Sequence, residues 1–131
     1  MIDLQETTRL KQAIEERPEG FEKIIEDTDL AICITNEEAK FVAVNENYLK
    51  WYEYDRDELV GESFLKVVPE ETQTELSDLH EEFMDIQIEM MRDWEVVSKS
   101  GKRLKISVDA GYSEKIRNAP HKITFVKVEN A

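Results

Sequence analysis

Residues 41–68 read FVAVNENYLKWYEYDRDELVGESFLKVV, and this stretch decides the fold. Residues 41–44 form a short apolar strand, and the side-chain oxygen of Asn45 is placed to cap a helix over residues 46–52 by accepting first-turn backbone N–H groups. An acidic turn leads to the Asp57–Gly61 step, where Gly61 follows Leu59 and Val60. A left-handed residue there ends one short helix and redirects the chain to the apolar patch at Phe64–Val68.

Upstream, residues 30–35 form an apolar run with β-branched residues, closed by a polar turn at Asn36–Lys40, so that residues 41–44 become its hairpin partner. Ile32 and Ile34 point one way and Ala31 and Cys33 the other. Both faces of this strand are apolar. It is therefore expected to pack a domain core on one side and an N-terminal helix on the other. That helix is expected within residues 2–16, where Leu10, Ala13 and Ile14 recur at helical spacing, and Pro18-Glu19-Gly20 stops it. Phe21, Ile24 and Ile25 form a second short helical turn.

Downstream, Pro69 opens a longer helix over residues 70–86, with Leu76, Leu79, Phe83 and Ile86 on one face and acidic residues early, where the helix dipole favours them. Three strands follow, over residues 89–99, 102–114 and 121–128, with a Ser100-Gly101 turn and a polar loop through Asn118-Ala119-Pro120. Leu104, Ile106, Val108 and Ala110 alternate with Lys105, Ser107 and Asp109. Two strands, helices, then three strands define an α+β fold with a single antiparallel five-stranded sheet, helices on one face and an N-terminal cap helix.

The chain resembles the PAS sensor domain over about residues 21–128. The resemblance is carried by the apolar strand ending at Asn45, the aromatic-rich helix, the DEL-V-G step at Asp57–Gly61 and the F-L-K-V-V run at Phe64–Val68. Glu53 departs from it, standing where the resemblance implies glycine. The implied organisation is a cap or dimerisation segment over residues 1–20 and a PAS-like domain over 21–131. The implied function is sensory signalling through protein–protein contacts, with a small ligand or cofactor held between sheet and helices. A ligand-free homodimerisation module and a haem- or flavin-based sensor are the alternatives. His80 on the long helix matches the place of a haem axial ligand in haem-binding relatives, with Met84 one turn on. The asparagine–cysteine motif of light-sensing relatives is absent, and the single cysteine, Cys33, reads as a small core hydrophobe.

The residues themselves nominate Ile32, Ile34, Val42, Val44, Tyr48, Phe64, Phe83, Ile106 and Val108 to line a core or cavity. Leu10, Ala13 and Ile14 are the expected dimer contacts, competing with a simple intramolecular cap. With 131 residues, 40% of them apolar, one domain is expected. Its 30 acidic against 17 basic residues give a formal charge of −13, which repels phosphate backbones and argues against nucleic acid as a partner. No secretory signal or membrane-length apolar run occurs, so a cytoplasmic protein is expected. No nucleophile elbow, Walker loop, H-E-x-x-H or paired cysteine ligands occur, so no enzyme or metal site is expected.

Overall fold

A computed structural model describes residues 2–87 and 92–130. The elements run α1 (Leu4–Glu16), α2 (Phe21–Ile24), β1 (Ala31–Asn36), β2 (Phe41–Val44), α3 (Glu46–Tyr52), α4 (Arg56–Leu59), α5 (Gln73–Ile86), β3 (Arg92–Val97), β4 (Arg103–Ser113) and β5 (His121–Asn130). Short 3₁₀ turns at Phe64–Val67 and Glu70–Thr72 join α4 to α5. The expected third strand began at residue 89; residues 89–91 lie outside the described residues. The five strands form one antiparallel sheet in the order β2-β1-β5-β4-β3, so the chain's first and last strands pair in the middle.

Strand alternation splits the apolar residues into two layers. On the inner face Ala31, Cys33, Ile106, Val108 and Val126 meet Tyr48, Tyr52 and Leu59 from the helices. On the outer face Ile32, Ile34, Ile123 and Phe125 meet Leu10, Ile14, Phe21 and Ile25 from the N-terminal segment. The cap is anchored by polar contacts as well: Thr7 Oγ1 donates to Asp109 Oδ2 at 2.6 Å, and Ser113 Oγ donates to Glu15 Oε2 at 3.1 Å. Asp3 starts α1 by accepting from the Gln5 and Glu6 amides. At Gly111 in β4 an added Cβ would lie 2.9 Å from Lys11 Cδ, so the missing side chain makes room for the Lys11 stem to lie over the sheet.

Leu10 and Ile14 are fully buried against their own sheet, and Ala13 is half-buried. The arrangement is thus an intramolecular cap, which takes Leu10 and Ile14 off the accessible surface. Gly61 adopts φ +91° just past α4, the left-handed stop expected of it. The inward line of α5 also differs from expectation. It runs Leu76, His80, Phe83, while Ile86 at the helix end is 51% exposed. The helix ends at Gln87 in a left-handed turn, so no further turn brings Ile86 over the sheet.

Candidate functional site

Asn45 is the joint on which the site is built. It is fully buried, and its side chain uses four hydrogen-bonding positions. Oδ1 accepts from the Tyr48 and Ile32 amides, each at 3.0 Å, and Nδ2 donates to the Ile25 carbonyl at 2.7 Å and the Leu30 carbonyl at 2.9 Å. It caps α3 as the sequence implied, and it also ties α3 to β1 and to the end of α2.

From that fixed start, α3 projects Tyr48 and Tyr52 inward at i and i+4 spacing. Their rings stack with centroids 3.9 Å apart and planes 6° from parallel. Both are buried, and the Tyr48 hydroxyl, the Tyr52 hydroxyl and the Cys33 thiol of β1 lie close enough to influence one another's titration. Burial pushes the Tyr48 and Tyr52 hydroxyls well above their ordinary range and the Cys33 thiol up to about 11. All three are neutral near pH 7.

Beyond this cluster lies a cavity of about 80 Å³ between the sheet and the helices. Phe64, Val67, Val68 and Leu76 form its helical wall, and Ile106 and Val108 part of its sheet wall. One end is polar, where Thr35 from β1, His80 from α5 and Lys122 from β5 converge. Thr35 and Lys122 are direct cross-strand partners. Nε2–H of His80 donates to the Asn36 carbonyl at 3.2 Å, and its ring lies 5.7 Å from that of Phe64. Desolvation, then the charge of Lys122, lowers the His80 pKa, so the imidazole is neutral. Lys122 Nζ lies 4.7 Å from the centre of the Phe83 ring. Glu95 also borders the cavity, and its carboxylate accepts from Arg103 at 2.8 Å.

Of the nine residues nominated from sequence, Tyr48, Phe64, Ile106 and Val108 line this cavity. Val44 packs in the same inner layer without bordering it. Phe83 is buried beside Tyr112, with ring centres 6.4 Å apart, under Lys122. Ile32, Ile34 and Val42 pack in the outer layer with the cap, opposite to the expected direction. The inward residues of β1 are Cys33 and Thr35. Sequence reasoning passed over Thr35, Lys122 and Tyr52; the only signal for the first was its two-residue spacing from Cys33.

The cofactor expectations meet this geometry directly. Pockets that hold drug-sized ligands run to roughly 300–1,000 Å³, and haem and flavin are at least of that size. A cavity of about 80 Å³ does not fit either. The nitrogen His80 would offer to iron is spent on Asn36. Among the described residues no group of three or more His, Cys, Asp or Glu is placed to hold a metal, and no helix is long and apolar enough to cross a membrane.

A five-stranded antiparallel sheet in this order, with helices over one face, an Asn-capped α3 and a cavity beneath, defines a class of sensory and signalling domain. The family model for the PAS fold matches residues 19–123, and the chain belongs to that family. No curated protein matches the sequence. Among solved structures, a PAS domain from Desulfitobacterium hafniense superposes with a TM-score of 0.72 at 19% identity, covering 81% of this chain and 98% of its own. The PAS domain of a LuxR-family transcriptional regulator from Burkholderia thailandensis, in complex with ethanol, has a TM-score of 0.66 at 12% identity, covering 85% and 98%. Drosophila melanogaster Cycle PAS-B with bound ethylene glycol has a TM-score of 0.64 at 15% identity, covering 75% and 98%. At these identities the likeness is one of fold.

Proposed function

We propose that this PAS domain takes a small, colourless molecule in the cavity and passes its presence to the N-terminal cap through α3. The observation that carries the reading is the double role of α3. Its inner face builds the cavity wall with Tyr48 and Tyr52, while its capping Asn45 holds the Ile25 carbonyl beside the cap. A displacement of Tyr48 is therefore felt at Ile25 through a single side chain. The size of the cavity and the two-carbon alcohols held by the Burkholderia and Drosophila domains support a ligand of a few heavy atoms.

Signalling through this route is non-covalent and calls for a partner protein that reads the cap. A homodimer is a second reading. It would use the outward face of α1, where Leu4 is 49% exposed beside Thr8 and Gln12, and not Leu10 or Ile14.

The test is hydrogen–deuterium exchange of residues 21–25 and 45–52 while two- to four-carbon alcohols and acids are titrated in. At least one probe should protect both segments saturably, and Val108→Trp, which fills the cavity, should abolish the response. A response that survives Val108→Trp, or no response to any probe, would remove this reading.

A further inference from the structure

Thr35 is 3% exposed and borders the cavity, and among the described residues its hydroxyl makes no hydrogen bond. Buried hydroxyls are ordinarily partnered, because one left unpaired has lost its water without gaining anything in exchange. The β1–β5 ladder is regular from Ala31 through Asn36, so Thr35 keeps the inward direction of Cys33, two residues before it. A free donor thus stands at one end of a cavity whose helical wall, made of Phe64, Val67, Val68 and Leu76, is apolar.

Among the described residues, the ionisable groups that border the cavity are each either paired or neutral. The Lys122 ammonium is engaged within the chain, over the Phe83 ring at 4.7 Å and by a further partner. The Glu95 carboxylate accepts from Arg103 at 2.8 Å. The His80 imidazole is neutral and holds the Asn36 carbonyl, and the Tyr48 and Tyr52 hydroxyls and the Cys33 thiol are neutral as well. An ion entering here would lose its hydration without finding a counter-charge, whereas an uncharged oxygen needs only a hydrogen-bond donor.

Resting on the reading of the cavity as a ligand site, we propose that its ligand is an uncharged short aliphatic alcohol or ketone. Its oxygen accepts a hydrogen bond from the Thr35 hydroxyl, and its carbon skeleton lies against Phe64 and Val68. The cavity thereby selects against carboxylates and amines of the same size. At about 10–15 Å³ for each water-sized position, about 80 Å³ admits roughly five to eight such positions, enough for a ligand of about four or five heavy atoms.

The test compares acetone and 2-propanol with sodium acetate and isopropylammonium chloride, probes of one size, with sodium chloride as the ionic control, by amide chemical shifts of the full chain at pH 7. Acetone or 2-propanol should shift residues 33–35 saturably and bind about tenfold or more tightly than either ion. Whichever of the two binds more tightly identifies the oxygen as a carbonyl or a hydroxyl. Thr35→Val should weaken that probe about fivefold or more, and Thr35→Ser, which keeps the hydroxyl, should hold it within about twofold of the wild type. Without ligand, Thr35→Val should melt higher than the wild type, since it removes an unpaired buried hydroxyl at nearly constant volume. Acetate or isopropylammonium binding as tightly as the neutral probes would overturn the uncharged assignment and leave the cavity reading standing. Neutral probes that bind Thr35→Val as they bind the wild type would overturn the role of the hydroxyl. A Thr35→Val variant that melts lower would show the hydroxyl to be partnered within the protein, which also overturns the proposal. Absence of binding by every probe would overturn the proposal and the cavity reading together.

Discussion

Asn45 Nδ2 donates to the Ile25 carbonyl at 2.7 Å, which joins the helix of the cavity wall to the last turn of the cap segment. Because both groups are buried, neither can fall back on water if the bond is lost. Asn45→Ala strands the Ile25 and Leu30 carbonyls and the Ile32 and Tyr48 amides together. The expected loss is about 3–4 kcal/mol in urea denaturation, less than four independent penalties because the site relaxes. A loss below about 1 kcal/mol would mean that the joint contributes little to the fold.

The cap gives a second, separable prediction. Leu10 is fully buried and sits in the outer layer with Ile32 and Ile34. Leu10→Ala leaves a hole between α1 and the sheet and is expected to cost about 2–5 kcal/mol. Amide exchange in residues 4–16 should rise with it. If exchange there stays as slow as in β5 while stability falls, the cap and the sheet unfold as one unit and α1 has no independent opening.

Parts of this arrangement were legible in the sequence for physical reasons, and parts were not. Asn45 was readable as a cap because the strand before it and the helix after it leave four backbone N–H groups without partners. Its amide donors were not readable, since the carbonyls they meet come from residues far off in the chain. Alternation in β1 separated Ile32 and Ile34 from Cys33 and Thr35, but both faces are apolar, so the larger residues were assigned to the cavity. The structure shows the reverse: Ile32 and Ile34 meet Leu10, Ile14, Phe21 and Ile25 of the cap, and the smaller Cys33 faces Tyr48 and Tyr52. On α5 the apolar pattern pointed to Leu79 and Ile86, whereas the inward line uses His80, whose hydrogen bond to the Asn36 carbonyl helps it to be buried.

Glu53 marks a place where a sequence departure has a structural counterpart. It ends α3 at φ +66°, a left-handed conformation natural to glycine, which explains why the resemblance implies glycine there. Its carboxylate compensates by accepting from Ser98 Oγ at 2.7 Å, from the Ser100 amide at 3.3 Å and from the Ser100 hydroxyl, which fastens the β3–β4 turn to the helix end. Glu53→Ala keeps the strained backbone and loses the clamp, so it should show the lowest urea midpoint. Glu53→Gly should fall between it and the wild type. An alanine variant equal to the wild type would mean the clamp adds no stability.

The buried Cys33 predicts a chemical silence. With the thiol pushed up to about 11 by burial, almost no thiolate is present at pH 8, and Cys33 is only 5% exposed. Iodoacetamide should leave the native protein unlabelled over hours and label it fully in denaturing urea, as read by intact mass. Rapid native labelling would mean that β1 and α3 separate readily, which would place the cavity on an opening element.

His80 makes stability depend on pH near neutrality. Burial, then the charge of Lys122, lowers its folded pKa below the ordinary value near 6.5, so the unfolded chain binds more protons between those two values. Stability from this residue is therefore fully present above about pH 6.5 and declines as the pH falls towards the folded pKa. The slope approaches about 1.4 kcal/mol per pH unit at most. Gln in its place keeps a donor for the Asn36 carbonyl and carries no titrating group. The difference in unfolding free energy between the wild type and His80→Gln should thus shift in favour of the variant between pH 7.5 and 5, while other titrations cancel in the comparison. A difference independent of pH would show that His80 becomes charged as easily in the folded chain as in the unfolded one, and that the polar end of the cavity is open to water.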